Sequence, residues 1–267
     1  MAGQTKQPDL SGRVAIVTGG ASGIGRATAL LLARHGARVF SGDLATGGAN
    51  AGPFAELGIV EMTCDVRDDH QVRSLVQRAA REGGGLHIVV SNAGLDLPKG
   101  ILEVTEAEWD ACLDTNLKGG FLLTRHAIPH LRTSGGGSII FTASNAGVLP
   151  RSHDPVYSTS KAAVIALANS LALAHSVDKI RVNSVCPGPV SDTGIMEQGL
   201  SGKGGDRAAA ERHFIEASPL ARALGRMITP EEVAQAILYL ASDAAAMVTG
   251  TALRIDGGKS LGVPPQS

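Results

Sequence analysis

The chain has 267 residues, 43% of them hydrophobic and 18% charged, with a formal net charge of −1. That length can bury one large α/β core, and the near-neutral balance offers neither the basic surface nucleic acid requires nor an acidic tail. No uninterrupted apolar run approaches the ~18 residues of a membrane span, and the polar stretch Met1 to Asp9 has no signal-peptide core, so a cytoplasmic protein without a membrane partner is expected.

Cys64, Cys112 and Cys186 are odd in number and far apart, which fits buried small residues rather than a disulfide framework or zinc site. The eight histidines lack metal-ligand spacing, so no metal is expected.

Taken in order, Arg13 to Thr18 reads as a buried strand running into Gly19-Gly20-Ala21-Ser22-Gly23-Ile24-Gly25. A helix with Ala27, Leu30, Leu31 and Ala33 on its apolar side follows and stops at Gly36. Strand, glycine turn and helix together let the backbone approach a pyrophosphate and present helix N–H groups to it. A glycine string alone fits a tight turn equally well, but the flanking elements favour nucleotide binding. The second strand, Ala37 to Gly42, ends in Asp43. An acid there accepts from the ribose hydroxyls of NAD and repels the extra phosphate of NADP, and Leu44 beside it adds no cation. NAD is therefore the expected cofactor, with a helix cap as the other reading of Asp43.

Thr46 to Leu57 contains Pro53 and several glycines, so only a short helix is expected. Ile59 to Cys64 reads as a third strand ending at Asp65-Val66, and Asp69 to Arg81 as an amphipathic helix closed by Gly83-Gly84-Gly85. A fourth strand, Leu86 to Val90, opens into Ser91-Asn92-Ala93-Gly94. Alternation of this kind predicts a doubly wound α/β sheet of seven mainly parallel strands with helices on both faces, its ligand crevice at the strand carboxyl ends. Thr105 with Glu108 forms a capping box for one long helix to about Leu131, with Asn116 inside it as either a tolerated or a functional polar residue.

Ser138 to Ser144 reads as the fifth strand, and Asp154 as a cap with Pro155 in the first turn opens a long helix carrying Tyr157 and Lys161 on one face, a turn apart. On spacing alone that pair fits an exposed helical couple better than a site. If functional, the ammonium lowers the tyrosine pKa from ~10 towards a usable acid/base, and Ser144 steadies a substrate oxygen. Ile180 to Cys186 is a sixth strand ending in Pro187-Gly188-Pro189-Val190, and Ala252 to Ile255 a seventh. Residues 191–226 read as a glycine-rich, irregular substrate lid, Thr229 to Leu240 as a capped helix, and residues 1–9 and 260–267 as flexible ends of a single domain, 1–267.

In this order and separation the motifs Thr18 to Gly25, Asp65-Val66, Asn92-Ala93-Gly94, Asn116, Ser144, Tyr157 with Lys161, and Pro187-Gly188 resemble those of the short-chain dehydrogenase/reductase family over nearly the whole chain. The resemblance implies a Rossmann-type fold and catalysis by Asn116, Ser144, Tyr157 and Lys161. It implies cofactor contacts from Gly19, Ser22, Gly23, Ile24, Gly25, Asp43 and Leu44 at the pyrophosphate and outer ribose. Asp65 and Val66 would meet the adenine; Asn92, Ala93, Gly94, Tyr157 and Lys161 the inner ribose; and Pro187, Gly188, Val190 and Thr193 the nicotinamide. Thr193 stands one residue later than the family spacing, with Asp192 in its place. An NAD-dependent interconversion of a small secondary alcohol and a ketone, in a homotetramer, is the activity implied. A 3-oxoacyl-[acyl-carrier-protein] reductase, or a catalytically silent nucleotide sensor, are the alternatives. Leu95, Asp96, Leu97, Asn145, Leu149, His153 and Pro189 are expected around the substrate.

Overall fold

Seven strands form one parallel sheet in the order β3-β2-β1-β4-β5-β6-β7. They are β1 Val14–Thr18, β2 Arg38–Asp43, β3 Val60–Thr63, β4 Ile88–Ser91, β5 Gly137–Thr142, β6 Ile180–Pro187 and β7 Ala252–Ile255. The computed structural model describes residues 8–46, 51–149, 151–201 and 206–262. Residues 1–7 and 263–267, expected in flexible ends, and 202–205, expected in the lid, lie outside the described residues.

Period-two alternation sorts the strand side chains between two apolar layers. Val14 and Ile16 of β1 join Ile139 and Phe141 of β5 in the layer under helices α3 (Asp69–Gly83), α5 (Gly119–Thr133) and α6 (Pro155–His175). Ala15 and Val17 join Val90 and Ile140 in the opposite layer, under α1 (Gly23–Arg34) and α10 (Pro230–Ala241). Both faces of the central strands are therefore buried, each large aliphatic side chain contributing roughly 1.5–3 kcal/mol relative to exposure. The remaining helices are α2 (Ala51–Glu56), α4 (Glu106–Leu113), α7 (Gly194–Ser201), α8 (Arg207–Glu216) and α9 (Pro219–Leu224).

Three expectations are corrected. The helix expected from Thr105 to Leu131 is interrupted by a π-helical turn, Asp114–Lys118, that contains Asn116. The described parts of 191–226 are not irregular: they fold as α7, α8 and α9, with Met196, Leu200 and Ala210 buried in a small cluster with Met227. Asp154, read as a side-chain cap, makes no capping bond and instead accepts from Arg151 and Ser158.

Pro155–Asp178 has the length and the mean hydropathy, 1.2, of a membrane span. Its inner side packs Val164, Ala168 and Ala172 on the chain's own core and buries Lys161.

Candidate active site

A cleft of about 530 Å³ runs along the carboxyl ends of the strands, lined at one end by Gly19, Ser22 and Asp43 and deeper in by Ser144, Tyr157 and Lys161. It lies where strand order reverses between β1 and β4, the crevice parallel sheets offer to ligands.

The glycine turn is shaped by close backbone approach. A Cβ on Gly25 would stand 1.9 Å from the Gly19 carbonyl oxygen. Gly19 itself is left-handed, φ 66°, and a Cβ there would stand 2.8 Å from Ala93 Cα. Asn92 locks the turn in place: its Nδ2 donates to the carbonyl oxygens of Thr18 and Gly19, both at 3.1 Å, and its Oδ1 accepts from Thr142 Oγ1 at 3.1 Å. One side chain thus ties together the ends of β1, β4 and β5. Asp43 Oδ2 accepts from the Ala21 N–H at 2.9 Å and Oδ1 from the Ala45 N–H at 3.2 Å, which holds the carboxylate on the cleft wall. Further along, Asp65 is paired with Arg67 at 2.6 Å, and this hydrogen-bonded guanidinium lowers the Asp65 pKa.

At the other end, Gly147 permits a similar approach. A Cβ there would stand 2.6 Å from the Lys161 backbone carbonyl carbon, so the absent side chain lets α6 press against the loop that carries Ser144. Ser144 Oγ accepts from the Ala146 N–H at 3.1 Å and donates to Asn145 Oδ1 at 3.4 Å, and its nearness to Tyr157 favours the phenolate. Lys161 Nζ donates to the Thr142 carbonyl oxygen at 3.0 Å and lies 5.7 Å from the centre of the Tyr157 ring.

The protonation balance differs from the expectation that Lys161 lowers the Tyr157 pKa. Burial pushes the phenol up to about 12, against a smaller opposing effect of Ser144. Burial likewise pushes the Lys161 amine down to about 8. Desolvation penalises both charged forms and outweighs the pairwise attraction on which the spacing argument rested.

Asn116 does not line the cleft. It is buried behind it, accepting from the Leu95 N–H at 2.8 Å and donating to the Leu95 carbonyl at 3.0 Å and Ser160 Oγ at 3.0 Å. Gly94, on the cleft wall, borders it: a Cβ there would stand 3.1 Å from Asn116 Oδ1 and 3.2 Å from Lys161 Nζ. That empty position is a cradle in front of an amine, and with the Asp43 carboxylate and the glycine turn it fits a dinucleotide with two ribose groups.

The other expected cofactor residues, Gly23, Ile24, Leu44, Val66, Ala93, Pro187, Gly188 and Val190, also line the cleft; Gly25 shapes the turn from behind. Thr193 lines it too, and the preceding Asp192 is left-handed, φ 53°. Thr193 Oγ1 donates to the Val190 carbonyl at 3.2 Å and accepts from the Met196 N–H at 3.2 Å. Of the expected substrate positions, Leu95, Asp96, Asn145 and Pro189 line the cleft, whereas Leu97, Leu149 and His153 do not.

Sequence reasoning passed over Arg67, Thr142, Ile195, Met196, Phe214 and Lys259, all of which line it. Thr142 and Lys259 follow the same carboxyl-end rule that located Asn92. The three apolar residues come from α7 and α8, whose approach to the cleft no local pattern encodes.

A family model described as Enoyl-(Acyl carrier protein) reductase matches residues 19–260. A cis-4-hydroxycyclohexanecarboxylate dehydrogenase of Sinomonas cyclohexanicum is 41% identical, over 92% of this chain and 96% of that protein. A 3-oxoacyl-[acyl-carrier-protein] reductase of Thermotoga maritima is 35% identical, over 93% and 98%. Among solved structures, a putative short-chain dehydrogenase/reductase from Burkholderia xenovorans superposes with a TM-score of 0.88 at 32% identity, covering 96% of this chain and 100% of that one. The ligand-free aldohexose dehydrogenase of Thermoplasma acidophilum gives 0.87 at 30% identity, covering 97% and 98%.

Proposed function

The chain belongs to the short-chain dehydrogenase/reductase family, and from that premise we propose that it is an NAD-dependent oxidoreductase interconverting a small secondary alcohol and its ketone. The observation that carries this reading is the meeting of Ser144, Tyr157 and Lys161 in the same cleft as the Asp43 carboxylate. The dinucleotide, when bound, supplies the two-electron redox chemistry at its nicotinamide. Asp43 and the Gly19 to Gly25 turn would hold its outer ribose and pyrophosphate, and Asp65 and Val66 its adenine. Asn92 to Gly94 and Lys161 would hold the inner ribose, and Pro187, Gly188, Val190 and Thr193 the nicotinamide side.

This chain's own contribution is position and proton transfer. Ser144 donates a hydrogen bond to the substrate oxygen as charge develops on it. The Tyr157 oxygen takes the hydroxyl proton in oxidation and returns it in reduction. Lys161 would hold the inner ribose beside the phenol, and Asn116 would hold a water of the proton relay behind it. The helices of residues 191–226 act as a lid, with Ile195, Met196 and Phe214 excluding water. A homotetramer fits the exposed Ala162 and Ala166 and the largely exposed Leu173 and Val177 on the outer side of α6 and its end.

The alcohols named among the relatives, a hydroxycyclohexanecarboxylate and D-threitol, support a substrate of that size. The 3-oxoacyl-[acyl-carrier-protein] reductase reading draws on the Thermotoga relative but is opposed by Asp43, since that activity usually draws on NADPH. Following reduced nicotinamide absorbance with an alcohol panel, NAD against NADP, tests the proposal; turnover with NADP alone, or with no alcohol, overturns it.

A further inference from the structure

The substrate end of the cleft contains a cation without a partner. Lys259 follows β7 on the 3-10 turn Lys259–Leu261 and lines the cleft. Among the described residues its ammonium makes no hydrogen bond or ion pair, although it is partly buried and the amine pKa is pushed down, first by burial and then by the nearby Arg151 charge.

Asp154 and Asp256 favour its charge, by less than burial and Arg151 oppose it, and neither forms an ion pair with it. Asp256, buried behind the turn, spends its carboxylate on the N–H groups of Gly258 at 2.9 Å and Ser260 at 3.0 Å and on the Ser260 hydroxyl. Asp154 is occupied by the Arg151 guanidinium and by Ser158 Oγ. Asp96, also on the cleft wall, is pushed towards its neutral form by burial, and its electrostatic neighbours are Arg151, Asp154 and His153 rather than Lys259.

Arg151, its guanidinium paired with Asp154, stands close to the chemistry, its Cζ 5.4 Å from the centre of the Tyr157 ring. Beside Ser144, the buried Asn145 Nδ2 is a further donor without an acceptor. A partly desolvated ammonium without an ion-pair partner, in a cleft with an orphaned donor, is stabilised by a ligand that brings negative charge and acceptor oxygens.

We propose, resting on the alcohol oxidoreductase reading above, that the substrate is a small hydroxy acid: its hydroxyl lies at Ser144 and Tyr157 and its carboxylate is received by Lys259. Lys259 is then the residue that selects acids over neutral alcohols of the same shape. The turn that carries it is braced by the lid, because the Leu220 N–H of α9 donates to the Gly257 carbonyl at 3.0 Å.

The test compares kcat/KM for 4-hydroxycyclohexane-1-carboxylate and for 4-methylcyclohexanol in the native enzyme, Lys259→Met and Lys259→Arg, with thermal melting as the folding control. A native preference for the acid of at least about tenfold, lost in Lys259→Met and largely kept in Lys259→Arg, is expected. Equal use of both alcohols by the native enzyme, or a preference that survives Lys259→Met, overturns the proposal. Calorimetric titration of the enzyme–NADH complex with cyclohexanecarboxylate reads the anion site without turnover. Binding that weakens at least about tenfold in Lys259→Met upholds the assignment even if neither alcohol reacts, a result that would count against the alcohol reading alone. Absent binding, or binding indifferent to Lys259, overturns it.

Discussion

Lys161 Nζ lies 5.7 Å from the centre of the Tyr157 ring and is held there by the Thr142 carbonyl oxygen at 3.0 Å. The amine is fixed by the end of β5 rather than by the tyrosine, so its position does not depend on whether the phenol is charged.

Removing the phenolic hydroxyl should therefore stop the chemistry without disturbing the cleft. Tyr157→Phe is expected to lower kcat by about 10²–10⁴, the usual worth of a positioned acid/base, while NADH affinity, read by fluorescence titration, stays within about twofold. Loss of NADH binding with kcat intact would assign Tyr157 to the cofactor alone.

Because burial raises the Tyr157 pKa to about 12, the phenol keeps its proton through pH 10 and 11 in the protein without cofactor. Difference titration of tyrosinate absorbance between the native protein and Tyr157→Phe should show no contribution from this ring below about pH 11. The positive nicotinamide of bound NAD should move its onset to lower pH.

The Lys161 amine carries the opposite linkage. Its folded pKa of about 8 lies below the ordinary ~10.4 of the unfolded chain, so between those values the unfolded state binds more protons and stability rises with pH. Below pH 8 the buried charge costs about 3 kcal/mol from this shift alone. Denaturant unfolding of Lys161→Met against the native protein should show the largest gain for the variant near pH 7, shrinking towards pH 10. A gain that does not change with pH would mean that Lys161 is not desolvated.

Asp43→Ala removes the carboxylate that meets the glycine turn at Ala21. The ratio of kcat/KM for NAD over NADP is expected to fall by at least about tenfold, because both an acceptor for the ribose hydroxyls and a repulsion of the extra phosphate disappear. An unchanged ratio would place cofactor choice elsewhere.

Gly25→Ala should damage the fold as well as the site, since the added Cβ would meet the Gly19 carbonyl oxygen at 1.9 Å and Asn92 Nδ2 at 2.5 Å. A loss of about 1–3 kcal/mol or more by denaturant unfolding, with weakened NADH binding, is the expected result. Native stability with native binding would show that the turn relaxes freely.

The sequence by itself determined the seven strands, their parallel order of alternation and the glycine, aspartate, serine, tyrosine and lysine positions, because these depend on local signals. Period-two burial, turn glycines and a four-residue spacing are properties of short stretches, and a parallel sheet brings every strand carboxyl end to one edge. Only the tertiary structure decided the π-helical turn that contains Asn116 and its bonds to Leu95, the folding of the described parts of 191–226 into helices, and the place of Thr193 on the cleft wall. It also decided the protonation of Tyr157 and Lys161 and, among the described residues, left the Lys259 ammonium without an ion pair. Desolvation and pairing are set by residues distant along the chain, so a spacing can bring Tyr157 and Lys161 together but cannot say how much water the fold leaves them.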